Sequence, residues 1–186
     1  MKRLLFVIFC VLFSLVAKSQ NCYKKDTIYT IGTAKYKCEV GGATVYLYSD
    51  NPKFRRVTQI SKSKNRPLTV GEYRSAPPIA ESPRDKIKLI RDVIGRFFDA
   101  EKMRLIRKAM SEEGDDSVTV SLYIDPTTGE VAEVEFSFLY VEVWAQFPVS
   151  LYYDIEQALK REVRFTLTDS GRDMNYVFVF TGFPTF

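Results

Sequence analysis

The sequence predicts an α+β protein built on an antiparallel sheet. Two kinds of periodicity carry this. Val118, Val120, Leu122 and Ile124 alternate with Thr119, Ser121 and Tyr123, and Ala132, Val134, Phe136 and Phe138 alternate with Glu133, Glu135 and Ser137. That is the period-two pattern of strands with one buried and one wetted face. Ile87, Ile90, Ile94 and Phe97 recur instead at helical spacing, as do Leu151, Ile155, Ala158 and Leu159.

The chain opens with the features of a signal peptide. Lys2 and Arg3 precede an apolar run from Leu4 to Ala17, broken only by Ser14. Ala17-Lys18-Ser19 then has the small-x-small pattern of a signal peptidase site. Residues 1–19 are therefore expected to be removed near Ser19/Gln20, leaving a periplasmic or secreted protein. The run is shorter than the roughly 20 residues that span a bilayer, so no membrane span is expected after cleavage. The sequence before Cys22 does not suit lipidation. The leader carries three positive charges and no acid, so its loss lowers the formal net charge of +4 to near neutrality. Such a balance gives no argument for nucleic acid.

Cys10 leaves with the leader, and Cys22 and Cys38 remain. In an oxidising compartment an even pair is expected to form a disulfide, adding about 3 kcal/mol. Two buried free thiols are the alternative. Two cysteines and no histidine speak against a zinc site.

Residues 20–60 read as a β-rich part. Ile28–Ile31 is rich in strand formers, and Tyr36–Val40 and Thr44–Tyr48 flank Gly41-Gly42 as a hairpin. Phe54–Ile60 is expected to be a further strand. Residues 61–81 hold three prolines, several basic residues and little periodicity, which predicts a linker or long loop.

Residues 82–186 read as a separate α+β domain. Ser82-Pro83-Arg84-Asp85 predicts a helix start, with serine as cap and proline in the first turn. Asp99 predicts a restart or kink, and Met103, Ile106 and Met110 continue an apolar stripe. Asp125-Pro126-Thr127-Thr128-Gly129 joins two strands, and every residue type there suits a turn. Asp125 can accept from amides two residues on, Pro126 has its φ preset, and Gly129 can take a positive φ. A calcium loop would need more oxygen ligands than this stretch offers. The second helix follows Pro148, with Lys160 and Arg161 late in it, where they complement the helix dipole. Val163–Leu167 alternates as a strand, and Asp169–Asp173 turns the chain. Met174–Thr181 is apolar on both faces, which predicts a central strand.

From Asp99 to Phe180 the order is helix, hairpin, helix, strand, strand. "VTVSLYIDPTTGEVAEVEF", "YYDIEQALKREVRFTL" and "MNYVFVF" resemble the C-terminal domain of TonB, with its "V.V.F.V..DG.V..V" hairpin before a helix and a last strand. The whole chain resembles small exported proteins of unknown function from Gram-negative bacteria, some of which carry such a fold. The resemblance implies a TonB-C-like helix–hairpin–helix–two-strand arrangement. The cleavable leader, and the lack of a proline-rich spacer, depart from TonB itself, so energy transfer to outer-membrane receptors is not implied.

Chemistry is sparsely signalled. Without histidine there is no His-based triad or shuttle. Ser61 and Lys64 have the Ser-x-x-Lys spacing, but in a basic stretch without supporting motifs. No Gly-rich phosphate loop appears, and no pair of acids is marked as a glycosidase site. No cofactor, metal or catalytic residue is assigned, and the protein is not expected to be an enzyme.

Two surfaces remain as binding candidates. Lys53, Arg55, Arg56, Lys62, Lys64 and Arg66 form a run of basic residues that could meet a polyanion, or could be a solvated loop. Tyr140, Trp144 and Phe147 lie in the aromatic stretch "FLYVEVWAQF" and could form a stacking shelf, or pack in the core. The expected function is a non-enzymatic interaction module of the cell envelope or secreted space, its partner unknown. The alternatives are an envelope protein binding sugar or peptidoglycan, and a hydrolase using carboxylates alone. An exposed edge strand would favour the first, an open shelf at Trp144 the second, two facing carboxyls in a cleft the third.

Overall fold

β-branched and aromatic residues dominate three stretches near the N-terminus, and each becomes a strand: β1 (Thr27–Ile31), β2 (Ala34–Gly41) and β3 (Thr44–Ser49). A computed structural model of the protein describes residues 25–75, 78–113, 117–139 and 143–184. After β3 come a short helix α1 (Val70–Ser75), then α2 (Pro83–Gly95) and α3 (Ala100–Glu113). The second hairpin is β4 (Val118–Ile124) and β5 (Val131–Leu139). A 3-10 turn (Val143–Gln146), α4 (Val149–Glu162), the one-turn α5 (Asp169–Asp173) and β6 (Val177–Phe183) follow.

All six strands form one antiparallel sheet in the order β1-β2-β3-β5-β4-β6. The expected division into a 20–60 part and an 82–186 domain is therefore corrected. β3 lies beside β5, with Leu47 opposite Phe136 and Val45 opposite Phe138. These four side chains belong to one core, which also holds Tyr36, Cys38, Ile90, Ile94, Leu122 and Leu159. The helices cover this inner face. α2 turns Ile90, Val93 and Ile94 onto it, and α4 turns Val149, Tyr152, Ile155, Ala158 and Leu159.

Of the two expectations for 61–81, a linker or a long loop, the linker is also corrected. Ser61 is 1% exposed and bridges to both Arg66 and Met174, while Ala80 bridges to Leu167. The segment lacks apolar periodicity because carboxylates hold it. Asp173 accepts from the hydroxyls of Ser61 and Ser63 and from the Ser63 amide. Glu72 accepts from Lys64, Arg66 and Thr69. Satisfied polar groups order a chain that apolar burial alone would not.

Several elements differ locally from expectation. α2 begins where proline indicated, but Ser82 sits at φ 47° and its side chain caps nothing. Asp99 does restart the helix, accepting from the Lys102 amide at 2.9 Å. Phe54–Ile60 and Val163–Leu167 are not strands, and the second contributes only isolated bridges. Asp169–Asp173 is a helical turn, capped by the Thr168 hydroxyl. β6 is an edge strand, not a central one. Its inner face packs Val177, Thr181 and Phe183, and its outer face carries Phe178 and the exposed Phe180. Among the described residues no helix is long and apolar enough to cross a membrane.

Candidate functional site

The strand register sets the outer face of the sheet in rows. Lys37, Tyr48, Glu135, Ser121 and Phe180 lie side by side across five strands. Glu39, Tyr46, Ser137, Thr119 and Gly182 form the row on one side of it. Glu133, Tyr123 and Phe178 form the row on the other. Among the described residues no helix covers this face. The loop after β3 covers one end, where Phe54 and Tyr176 pack on Tyr123, Ala132 and Phe178.

Two glutamates of β5 hold that loop down. Glu133 accepts from three successive backbone amides, Lys53, Phe54 at 2.7 Å and Arg55 at 3.2 Å. Three neighbouring N–H groups aimed at one carboxylate make an anion nest, here filled by the protein's own side chain. Arg55 then lies across the sheet. Its Nε donates to Glu135, its Nη1 reaches Glu39 at 3.4 Å, and its guanidinium sits over the Tyr48 ring. Burial works against the charge of Arg55, but Glu135, then Tyr48 and Glu39, hold its pKa above the usual value. The Tyr48 hydroxyl donates to Glu39 at 2.5 Å, and that bond is the main reason the Glu39 carboxyl titrates lower than usual. These carboxylates are occupied by donors and cations. The arrangement clamps a loop and leaves no acid poised for proton transfer.

The basic run is not one patch. Arg55 is drawn onto the sheet, and Lys53 sits 3.5 Å from Asp125 and over the Phe54 ring. Lys64 and Arg66 share Glu72. Arg56 and Lys62 are exposed. The aromatic shelf is corrected too. Trp144 is fully buried and Phe147 nearly so, both packed edge-on against Phe98. Tyr140 lies outside the described residues. So does Cys22, while Cys38 is buried, has no disulfide partner among the described residues, and has its thiol pushed up to about 11 by desolvation and then by Asp26.

The Asp125 stretch is a turn. Asp125 Oδ1 accepts from the Thr127 and Thr128 amides at 2.8 and 3.2 Å, and Gly129 adopts φ 74°. Burial raises the Asp125 pKa, but the two amides and Lys53 outweigh it and leave it lowered.

Among the described residues, two of the cavities lie away from the sheet face. One, of about 260 Å³, is lined by Ser61, Lys64, Glu72, Ser170, Asp173 and Met174 among others. Here Ser61 donates to Asp173 at 2.5 Å while the Lys64 ammonium is 2.6 Å from Glu72, so Ser61 and Lys64 do not form a nucleophile–base pair. The other, of about 220 Å³, lies between the Asp125 turn and residues 164–172. Among the described residues no cluster of His, Cys, Asp and Glu could hold a metal ion.

Sequence reasoning missed the open edge at β6, the Arg55 clamp and the second cavity. The alternating Tyr46/Tyr48 and Glu133/Glu135 were the available signal for the clamp, since such side chains share a face.

Residues 20–180 match the model of a family described as Domain of unknown function (DUF5043). Among solved structures the chain is similar to the crystal structure of a DUF5043 family protein from Bacteroides uniformis ATCC 8492. The two share 23% identity, over 88% of this chain and 93% of that one, with a TM-score of 0.71. At that identity the likeness concerns the fold. No curated protein matches. Neither finding supports the resemblance to the TonB C-terminal domain, and the sheet takes in the N-terminal strands that the resemblance left out. The chain belongs to the DUF5043 family.

Proposed function

We propose that the protein is an exported, non-enzymatic interaction module that captures an extended segment of a partner protein along β6. The character of that strand carries the reading. Natural sheet edges are guarded by charge, proline, bulges or short length. Val177–Phe183 runs for seven residues without a charged side chain, and Phe180 is 64% exposed. The opposite edge, β1, is five residues long. A segment added at β6 would take main-chain bonds from the strand and rest side chains against Phe178 and Phe180. Phe180 shares its row with Ser121 and Glu135, so the partner would also meet polar groups. The signal-like residues 1–19 support export, and the family match beginning at residue 20 fits a mature chain that starts there.

The test is site-specific photo-crosslinking of the mature protein in envelope extract. A photoreactive residue at Phe180 should trap a discrete partner, and one at Ile28, 54% exposed on the opposite edge strand β1, should not. Phe180→Asp should abolish recovery of that partner without lowering the melting temperature. Equal capture from both positions, or unchanged capture by Phe180→Asp, overturns the reading.

A further inference from the structure

We propose that the cavity between the Asp125 turn and α5 is a preformed binding site for a tetrahedral oxyanion, a phosphate or sulfate group. The cavity, of about 220 Å³, is lined by Thr127, Thr128, Arg164, Thr166 and Arg172 over a floor that includes Phe165 and Leu167. Its lining residues include two arginines and three threonines but no acid. The other cavity sets one lysine against two acids, so a positive lining is not a general feature of this surface.

The arginines keep donors to spare. Arg164 Nε donates to the Thr128 carbonyl at 3.1 Å, which fixes the plane of its guanidinium at the cavity rim. Its nearest acid, Glu130, is 3.8 Å from Nη1, and Asp169 is 4.0 Å from Nη1 of Arg172. Both separations exceed hydrogen-bond length, so these pairs leave the terminal N–H groups free to take a ligand. Asp125 does not compete, because its carboxylate is engaged by the Thr127 and Thr128 amides and by Lys53. A guanidinium fork matches two oxygens of a phosphate or sulfate, and two forks on one cavity can hold such a group from two sides.

The walls are rigid. A Cβ on Gly129 would fall inside van der Waals contact of the Phe165 carbonyl oxygen, and one on Gly171 would do the same at Ile79. The Phe165 amide also donates to the Gly129 carbonyl at 2.8 Å. The turn is thus held against the 164–167 segment by backbone contacts, and α5, which carries Arg172, is held against Ile79. A site whose walls are already placed loses less entropy when it binds. At about 30 Å³ per water the cavity holds several waters, enough for the anion and part of the group that bears it.

The test uses the mature protein and amide NMR titrations with sodium phosphate and sodium sulfate, each against sodium chloride at constant ionic strength. Saturable shifts confined to residues 126–130 and 164–172 are expected with one or both oxyanions and not with chloride. Whichever binds more tightly identifies the ester to seek. Arg164→Gln and Arg172→Gln should each weaken binding at least tenfold. Arg161→Gln, at an equally exposed arginine paired with Glu162, should leave it unchanged. Absence of saturable shifts, or equal weakening by all three substitutions, overturns the site.

Discussion

The guanidinium of Arg55 lies 3.8 Å from the centre of the Tyr48 ring while its Nε bonds Glu135. One side chain thus ties the loop after β3 to two central strands. Only 17% of the Arg55 side chain is exposed, so the contact escapes most of the screening that weakens surface pairs. Arg55→Ala strands Glu135 and bares the Tyr48 ring, and should lower stability by about 2–3 kcal/mol in urea denaturation. Arg55→Lys should recover little, because an ammonium has neither the planar face nor the fork. Equal stability of Arg55→Lys and wild type would show that charge alone holds the loop.

Asp125 and Gly129 sit four residues apart in the same turn, yet they should respond very differently to substitution. Asp125→Asn keeps an oxygen for the Thr127 and Thr128 amides and gives up only the exposed Lys53, so its effect should stay within about 0.5 kcal/mol. Gly129→Ala meets two penalties. Its left-handed backbone costs a non-glycine residue about 1–2 kcal/mol. The Phe165 carbonyl must also move to admit a Cβ. The combined loss should exceed about 2 kcal/mol, measured by thermal melting. A neutral Gly129→Ala would mean that the turn and the 164–167 segment separate freely.

What could be read from the sequence follows how local the physics is. The Asp125 turn is legible because Asp, Pro and Gly act on their own backbone. Asp99 is legible as a helix start for the same reason. The edge position of β6 is not, because alternation tells which face is buried but not which strand lies alongside. Its apolar outer face suggests a covered centre, whereas Phe178 is sheltered by Tyr123 and Phe180 is left open. The 61–81 segment reads as a linker or long loop because its order depends on partners far away in sequence. Asp173 holds Ser61 across 112 positions, and no periodicity within the segment records that bond. The same holds for Arg55 and Glu135, 80 positions apart.

Glu156 carries a pH dependence that can be read as stability. It is 1% exposed on the inner side of α4, where Oε1 meets Lys160 at 2.5 Å and Oε2 has no hydrogen-bond partner among the described residues. Burial raises its pKa, and Lys160 offsets this only in part. A carboxyl raised in the folded state favours folding fully below its unfolded value, about 4.3. That advantage is lost as pH rises through the folded value. Glu156→Gln removes the titration and keeps the shape. Its melting temperature should therefore gain on wild type as pH is raised from 4 to 7. A gap that shrinks over this range would mean that the Lys160 pair outweighs the burial.

The place of the N-terminal strands in the sheet makes a prediction about a fragment. A chain starting at Ser82 keeps β4, β5, β6 and the larger helices but loses the strand that pairs β5 on its other side. It also loses Tyr36, Cys38, Val45 and Leu47, each at most 1% exposed in the shared core. Tyr36 meets Tyr153 of α4 edge-on, so that helix loses part of its floor. Large apolar side chains contribute about 1.5–3 kcal/mol each when buried. Losing this set takes away a sum comparable with the 5–15 kcal/mol that holds a typical domain together. The fragment is therefore expected to lack a cooperative thermal transition by circular dichroism, while the chain from Gln20 melts in one step. Adding residues 20–81 back as a separate chain should restore a transition if the strands can dock, since β3 supplies both the missing ladder and the missing core. A cooperative melt of the Ser82 fragment alone would instead show that β4–β6 and the helices close a core without β3. The N-terminal strands would then be an extension of the sheet and not part of its foundation.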